Sequence, residues 1–356
     1  MTIDETLLDL DSKTSYEVTS LRNLPTGHIL RDRYRVIEKI SNGGFSITYK
    51  AEDMIFDRTV AIKEFFIENI CDREENSPIL SAIKNTETRK TFQIYKKKFI
   101  KEAQIISEFK DCQNIVNIID IFEENATAYY AMDYIEGESI HAYVKRKRKL
   151  NENEAKTIIL NVANTLQYIH NKNYLHLDVK PLNIMRSLSG EIILIDFGVS
   201  KHYNDHSGKQ TTQTPLAYSK GYAPLEQFLN NVENFSPATD VYALGGVYYF
   251  LVTGKNPPIA AVDFELTWEV SVSTQTKEVI TNMMMPKKQD RLQSMLEVIE
   301  LITKAPITQK TTNDSSHFDF QGTIDYNANN EIIKLKWVGL AIGIIIAITY
   351  ICSLFT

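Results

Sequence analysis

At 356 residues, with a formal net charge of −6, the chain is long enough for a two-lobed domain plus flanking segments. The acidic balance gives no general reason to expect nucleic acid as the main partner. Its three cysteines, Cys71, Cys112 and Cys352, lie far apart without a C-x-x-C pair; this argues against a disulfide framework or a thiolate zinc site and fits a reducing compartment.

Residues 1–30 begin acidic and polar, with no basic start leading into an apolar segment. They read as an N-terminal arm rather than a cleaved signal peptide. Tyr34–Ile40 then alternates apolar and polar residues, as a half-buried strand does. Ser41-Asn42-Gly43-Gly44-Phe45-Ser46 supplies a turn, and Ile47–Ala51 the returning strand. So small a tip lets backbone N–H groups approach phosphate oxygens, although an ordinary hairpin turn has the same look. Val60-Ala61-Ile62-Lys63 is a short apolar strand ending in a lysine, which by itself reads as solvated. Over Lys98–Phe109, the residues Phe99, Ile100, Ala103, Ile106 and Phe109 fall on one helical stripe, with Glu102 beside it.

Lys145-Arg146-Lys147-Arg148-Lys149 reads as a solvated helix end, with contact to anionic lipid as the alternative. Asn151 and Glu154 predict a capped helix start, Asn151 accepting N–H groups and Glu154 completing the box. Ile158, Ile159, Val162, Leu166 and Ile169 continue at helical spacing and predict a long core helix.

That helix leads to His176-Leu177-Asp178-Val179-Lys180-Pro181-Leu182-Asn183, and thirteen residues later to Asp196-Phe197-Gly198, with Ile192–Ile195 as a strand just before. The two motifs, at this separation, resemble the H-R-D-L-K-x-x-N catalytic loop and the D-F-G motif of protein kinases. The resemblance covers about residues 33 to 303 and looks like the bacterial, eukaryotic-like serine/threonine branch. Ala61-Ile62-Lys63-Glu64-Phe65-Phe66, the insertion around residues 69–92, Phe122–Asn125 and Met132–Ser139 carry that finer likeness. The implied fold is α+β and bilobal, with a small β-rich N-lobe and a larger helical C-lobe.

The resemblance also implies roles. Asp178 would accept the proton of a substrate hydroxyl, Lys180 would neutralise charge developing on the γ-phosphate, and Asn183 and Asp196 would hold Mg²⁺, or Mn²⁺. Lys63 would contact the α- and β-phosphates of ATP and pair with Glu102, with Glu108 as a weaker candidate. Ile40, Gly43, Ala61 and Met132 would surround the nucleotide, Met132 as gatekeeper, and backbone atoms of Asp133 and Ile135 would meet the adenine. Gly221–Glu226 resembles the A-P-E closure, so that Glu226 would pair with Arg291. Asp240 would brace the catalytic loop, and Ser219 would touch the catalytic Asp and Lys. His176 and Phe197 would pack the loop. The expected partners are ATP and proteins with Ser or Thr acceptors.

Departures from the family pattern are equally legible. Of the glycine-rich loop only Gly43 is kept, Ser41 and Ser46 standing at the other two glycine positions. Leu225 takes the proline position of the closure. Leu177 replaces the usual arginine that collects an activation-segment phosphate, so activity should depend little on phosphorylation there. His202 and His206 stand four apart without an acidic third ligand, and no metal site is expected at them. No internal repeat with a period of about 20–50 residues is visible.

Residues 306–334 are rich in Thr, Asn, Asp, Ser and Gln and read as a polar linker. Trp337–Phe355 then runs nineteen residues without a charge. At helical rise this reaches about 28 Å, close to the hydrocarbon thickness of a bilayer. Lys334 and Lys336 precede it, which predicts an anchor over 335–356 with the N-terminal part cytoplasmic, at a bacterial inner membrane. The expected layout is an arm over 1–30, a kinase domain over 31–305 divided near 134 and 135, the linker and one transmembrane helix. Two alternatives to a protein kinase stay open: a nucleotide-binding pseudokinase, suggested by Ser41 and Ser46, and a small-molecule kinase.

Overall fold

Strand periodicity shows first in Ser46–Asp53 (β3), where Ile47, Tyr49, Ala51 and Asp53 are buried and the residues between them half-exposed. The computed structural model describes residues 23–67, 70–74, 77–82, 86–197, 201–202, 219–260 and 265–304. Ile29–Leu30 (β1), Tyr34–Asn42 (β2), β3, Arg58–Phe65 (β4), Ile118–Glu124 (β7) and Thr127–Asp133 (β8) form a six-stranded antiparallel sheet in the order β1-β2-β3-β4-β8-β7. The strand expected over Tyr34–Ile40 runs to Asn42, and its partner begins at Ser46. β4 is central and buried on both faces from Val60 to Phe65.

The insertion after β4 has a structural role. Cys71–Arg73 (β5) and Leu80–Ala82 (β6) form a hairpin against the sheet's back face. Arg73 is fully buried and ion-pairs with Glu64, whose carboxylate also accepts the hydroxyls of Tyr49 and Tyr129, both at 2.8 Å. Buried charge is tolerable only with such complete pairing. Arg73 Nε further donates to the Pro78 carbonyl at 3.1 Å. Because neighbouring strand residues face opposite ways, Glu64 anchors the back of β4 while Lys63 faces the front.

The helix expected over Lys98–Phe109 is longer and ends sooner: Thr86–Ser107 (α1). Phe92, Phe99 and Ile106, seven apart, continue the buried line upstream of the three lysines 96–98. Ile105 joins the buried face, while Ile100 is only half-buried. Phe109 lies beyond the helix yet is fully buried.

The second lobe is helical. Ile140–Lys147 (α2) follows the short strand Gly137–Ser139 (β9) and carries Lys145, Arg146 and Lys147 in its last turn, where Arg146 pairs with Glu138 and Lys147 with Glu154. The basic run is thus a solvated helix end, as read. Glu152–Asn171 (α3) is capped by Asn151, whose side chain accepts the Glu154 N–H at 2.9 Å. Glu154 does not complete the box; its carboxylate takes the Tyr143 hydroxyl instead. Tyr174–Leu175 (β10), Ile184–Ser187 (β11), Ile192–Leu194 (β12) and Lys201–His202 (β13) are short strands around the loops that matter below. Leu225–Phe228 (α4), Pro237–Thr253 (α5), Thr274–Met283 (α6) and Met295–Thr303 (α7) complete the lobe. Every residue of α5 from Ala238 to Thr253 is buried, which makes it the lobe's central helix. At Gly245 an added Cβ would come within 2.8 Å of Met283, so the close crossing of α5 and α6 requires glycine.

An ion cluster pins the outer sheet. Asp53 receives Arg33 at 2.8 and 2.7 Å and Arg58 at 3.3 Å. Hydrogen bonding from Arg33, against the opposing effect of burial, holds the carboxyl down to about 2. The stabilisation is therefore full above the ordinary Asp pKa and lost as pH falls through about 2. Asp53→Asn should cost about 1–2 kcal/mol at pH 7, allowing for screening at the exposed edge of Arg58. Chemical denaturation of both proteins should show that gap closing as pH drops from 4 towards 2.

Candidate active site

Lys63 sits on β4 directly opposite Tyr130 of β8. Its Nζ lies 3.1 Å from Glu102 Oε1 on α1 and 3.1 Å from Asp196 Oδ1, just after β12. Tyr130 donates its hydroxyl to Glu102 at 3.0 Å and offers its ring face to the ammonium at 5.5 Å. Burial works against a charge on Lys63, but the two carboxylates outweigh it and lift its pKa well above the usual lysine value. Burial raises Glu102, only partly opposed by Lys63, whereas at Asp196 the ammonium outweighs burial and lowers the pKa. One cation thus bridges two acids. Glu108, the other acid considered for Lys63, instead accepts the Tyr174 hydroxyl at 3.1 Å on the surface.

The second group is the loop between β10 and β11. The Asp178 carboxylate accepts Lys180 Nζ at 2.7 Å, Asn183 Nδ2 at 2.9 Å and Ser219 Oγ at 2.8 Å. Asn183 Nδ2 also donates to the Asp178 carbonyl at 2.9 Å, so the amide nitrogen faces Asp178 and the amide oxygen is the atom left to meet a cation. That oxygen and the Asp196 carboxylate, 30 % exposed, make a hard-oxygen donor pair of the kind Mg²⁺ takes. Asp178 itself hangs from a strained backbone. Leu177 has φ +63°, and its N–H donates to Asp240 Oδ1 at 2.8 Å. The His176 N–H reaches the other Asp240 oxygen at 2.9 Å, which His170 Nε2 also meets at 2.8 Å.

Packing locks both groups. The His176 ring lies 4.6 Å from that of Phe197, which stacks on Phe109 at 5.7 Å. Burial lowers the His176 pKa, against the pull of Asp240, and keeps the ring neutral; its Nδ1 accepts the Asp178 N–H at 3.2 Å. Downstream, Glu226 and Arg291 pair at 2.8 Å, and Arg291 also donates to the Ala238 carbonyl at 2.8 Å. Gly221, at φ +84°, passes so near Pro257 that a Cβ would stand 2.5 Å from its carbonyl oxygen.

Ala61 and Met132 are cross-strand partners, and Asp133 ends the same strand. Ile40, 48 % exposed, and Gly43 belong to the outer hairpin, reached through the pairing of β2, β3 and β4. The Gly43 N–H donates to the Ser46 carbonyl at 2.7 Å, and Phe45 at the tip stacks on Tyr95 of α1. Three residues that bond to the site escaped the sequence reading: Tyr130, which reaches Glu102, His170, which meets Asp240, and Gln227, which reaches the Leu177 carbonyl. Tyr130 comes opposite Lys63 through the pairing of two strands far apart in the chain, and neither it nor Gln227 carried a sequence signal. Thr211, Thr212, Thr214, His206 and the His202 side chain lie outside the described residues.

A sheet lobe presenting a lysine to two acids, above a helical lobe presenting a clamped aspartate, is the architecture of the protein kinases. The protein kinase domain model matches residues 34–316, and the chain belongs to that family. Serine/threonine-protein kinase B of Synechocystis is 28 % identical over 285 residues, 77 % of this chain and 46 % of that protein. The probable serine/threonine-protein kinase PknB of Lactococcus lactis is 31 % identical over 232 residues, 65 % of this chain and 33 % of its own length. Serine/threonine-protein kinase PrkC of Bacillus subtilis is 30 % identical over 231 residues, 65 % of this chain and 32 % of its own. The chain therefore spans less than half of each of these three relatives.

Glu102→Gln removes one of the two acids from Lys63. A buried partner of this kind supports an expected loss of about 100-fold in kcat/KM for ATP. Tyr130→Phe, which removes the hydroxyl that bonds Glu102 and Lys63 but leaves their ion pair, should cost about tenfold. Steady-state kinetics at varied ATP would check both.

Proposed function

We propose that the chain is a serine/threonine protein kinase that moves the γ-phosphate of ATP to a hydroxyl on a protein. The observation that carries this reading is the Asp178 carboxylate, met together by Lys180, Asn183 and Ser219. Asp178 accepts the proton of the acceptor hydroxyl and orients its oxygen for in-line attack. The new O–P bond forms as the bond from the γ-phosphorus to ADP breaks, and Lys180 offsets charge on the transferring group. Lys63, steadied by Glu102, holds the α- and β-phosphates. Ile40, Gly43, Ala61 and Met132 line the nucleotide, with the backbone of Asp133 and Ile135 at the adenine. Asn183 and Asp196 are the residues that would hold Mg²⁺, or Mn²⁺, and the ion would supply neutralisation of phosphate charge.

Ser219, Glu226 and Arg291 favour a protein acceptor, because a built closing segment beside Asp178 suits a peptide more than a metabolite. The relatives' names support the Ser/Thr class. Incubating the purified protein with labelled ATP and a generic protein acceptor tests the reading, with transfer expected. ATP binding without transfer would make the chain a nucleotide-binding pseudokinase, and transfer only to a metabolite would make it a small-molecule kinase.

Activity of this kind would be independent of activation-segment phosphate and would take place at a membrane. Leu177 is 3 % exposed and packs with Leu175 and Phe235, so an apolar contact stands where an arginine would wait for phosphate. Replacing Thr211, Thr212 and Thr214 together by Ala should leave kcat within about threefold of wild type; near-total loss would contradict it. Among the described residues no helix is long and apolar enough to cross a membrane, and the span 337–355 lies outside them. Its uncharged length and the preceding lysines support a single-pass anchor over 335–356, a linker over 306–334 and a cytoplasmic kinase domain over 31–305. Removing 335–356 should shift the protein from the membrane pellet to the soluble fraction.

A further inference from the structure

Leu177 is held from both sides. Its N–H is taken by Asp240, and its carbonyl accepts Gln227 Nε2 at 2.6 Å. Gln227 is 4 % exposed and follows Glu226, the partner of Arg291, in α4. The peptide bond that begins at the Leu177 carbonyl ends at the Asp178 nitrogen, so this contact acts one bond from the residue proposed as base. Ser219, eight residues earlier, touches the Asp178 carboxylate at 2.8 Å. The segment over 219–228 therefore grips Asp178 at two points: the carboxylate and the carbonyl just before it.

We infer that Gln227 is a positioning residue for phosphoryl transfer, tying the acceptor-side segment to Asp178 by a neutral, buried hydrogen bond. The inference rests on the kinase reading above. A leucine held at φ +63° resists its own geometry and needs external bonds to stay there. Asp240 fixes its amide whether or not the acceptor segment is in place, because Asp240 belongs to α5. Among the described residues, the Gln227 bond is the hydrogen bond that makes the backbone before Asp178 depend on the segment proposed to meet the protein acceptor. An arginine–phosphate bridge would serve the same coupling through charge. Here, with Leu177 in an apolar cluster, an uncharged amide serves it.

The dependence is on the acceptor side, so the loss should fall on the transfer step and not on ATP binding. Gln227→Met keeps the length of the side chain and removes the donor. Gln227→Glu keeps shape and polarity but sets an acceptor against the Leu177 carbonyl. For both, in the full chain with Mg-ATP and a protein acceptor, kcat should fall about tenfold or more while KM for ATP stays within about twofold. Melting curves and Mg-ATP binding on the same samples establish that each variant is folded; if the Met variant is not, the Glu variant decides. A kcat within about threefold of wild type in a folded variant overturns the inference, and so does a matching loss of ATP affinity, the mark of a merely structural role. A wild-type protein that transfers no phosphate would instead remove the kinase reading itself.

Discussion

The buried carboxylate of Asp240 is the constraint on which the site depends. It is fully buried, yet it accepts the N–H groups of His176 and Leu177 and meets His170 Nε2, at 2.8–2.9 Å. Burial alone would raise its pKa, but His170 and the other donors hold it below the usual Asp value. An anion so placed can be stable only while those donors converge on it, and their convergence forces Leu177 into the left-handed region. From that bend Asp178 projects toward Lys180, Asn183 and Ser219. The rigid floor is α5, the most deeply buried helix, so the loop is referenced to the core of the lobe and not to its surface.

The small lobe solves a matching problem at Lys63. An ammonium shared by two acids must be presented from a strand that does not slide. β4 is gripped on its back by Glu64, Arg73, Tyr49 and Tyr129, and on its front by Glu102 and Tyr130. The insertion hairpin, β5 and β6, supplies Arg73 and so closes the back of the strand. The two lobes then meet chemically at Asp196, which Lys63 touches, while the neighbouring Phe197 packs between Phe109 and His176.

Much of this was legible in the residues. Lys63, Glu102, Asp178, Lys180, Asn183 and Asp196 stand out because the segments that hold them resemble the motifs of protein kinases, and the fold brings Lys63 to Glu102 and Asp196, and Lys180 and Asn183 to Asp178. Glu226 with Arg291, Asp240 with the loop and Ser219 with Asp178 also meet as expected. Other features were hidden for physical reasons. The first turns of α1 are mostly polar and Lys96–Lys98 separate Phe92 from Phe99, so the upstream half of the helix did not declare itself. Nothing in the sequence pairs Glu64 with Arg73, which a hairpin nine residues on brings behind it. Glu154 has the right spacing for a capping box, but the Tyr143 hydroxyl is a competing donor from another helix. Gln227 bonds to a backbone carbonyl, which no side-chain pattern reports.

The most direct measurement is mass-spectrometric mapping of phosphate on the full chain after incubation with Mg-ATP, beside Asp178→Asn treated identically. Phosphoserine or phosphothreonine on the wild type and almost none on the variant is the expected result. Equal phosphate on both would remove Asp178 from the role assigned to it.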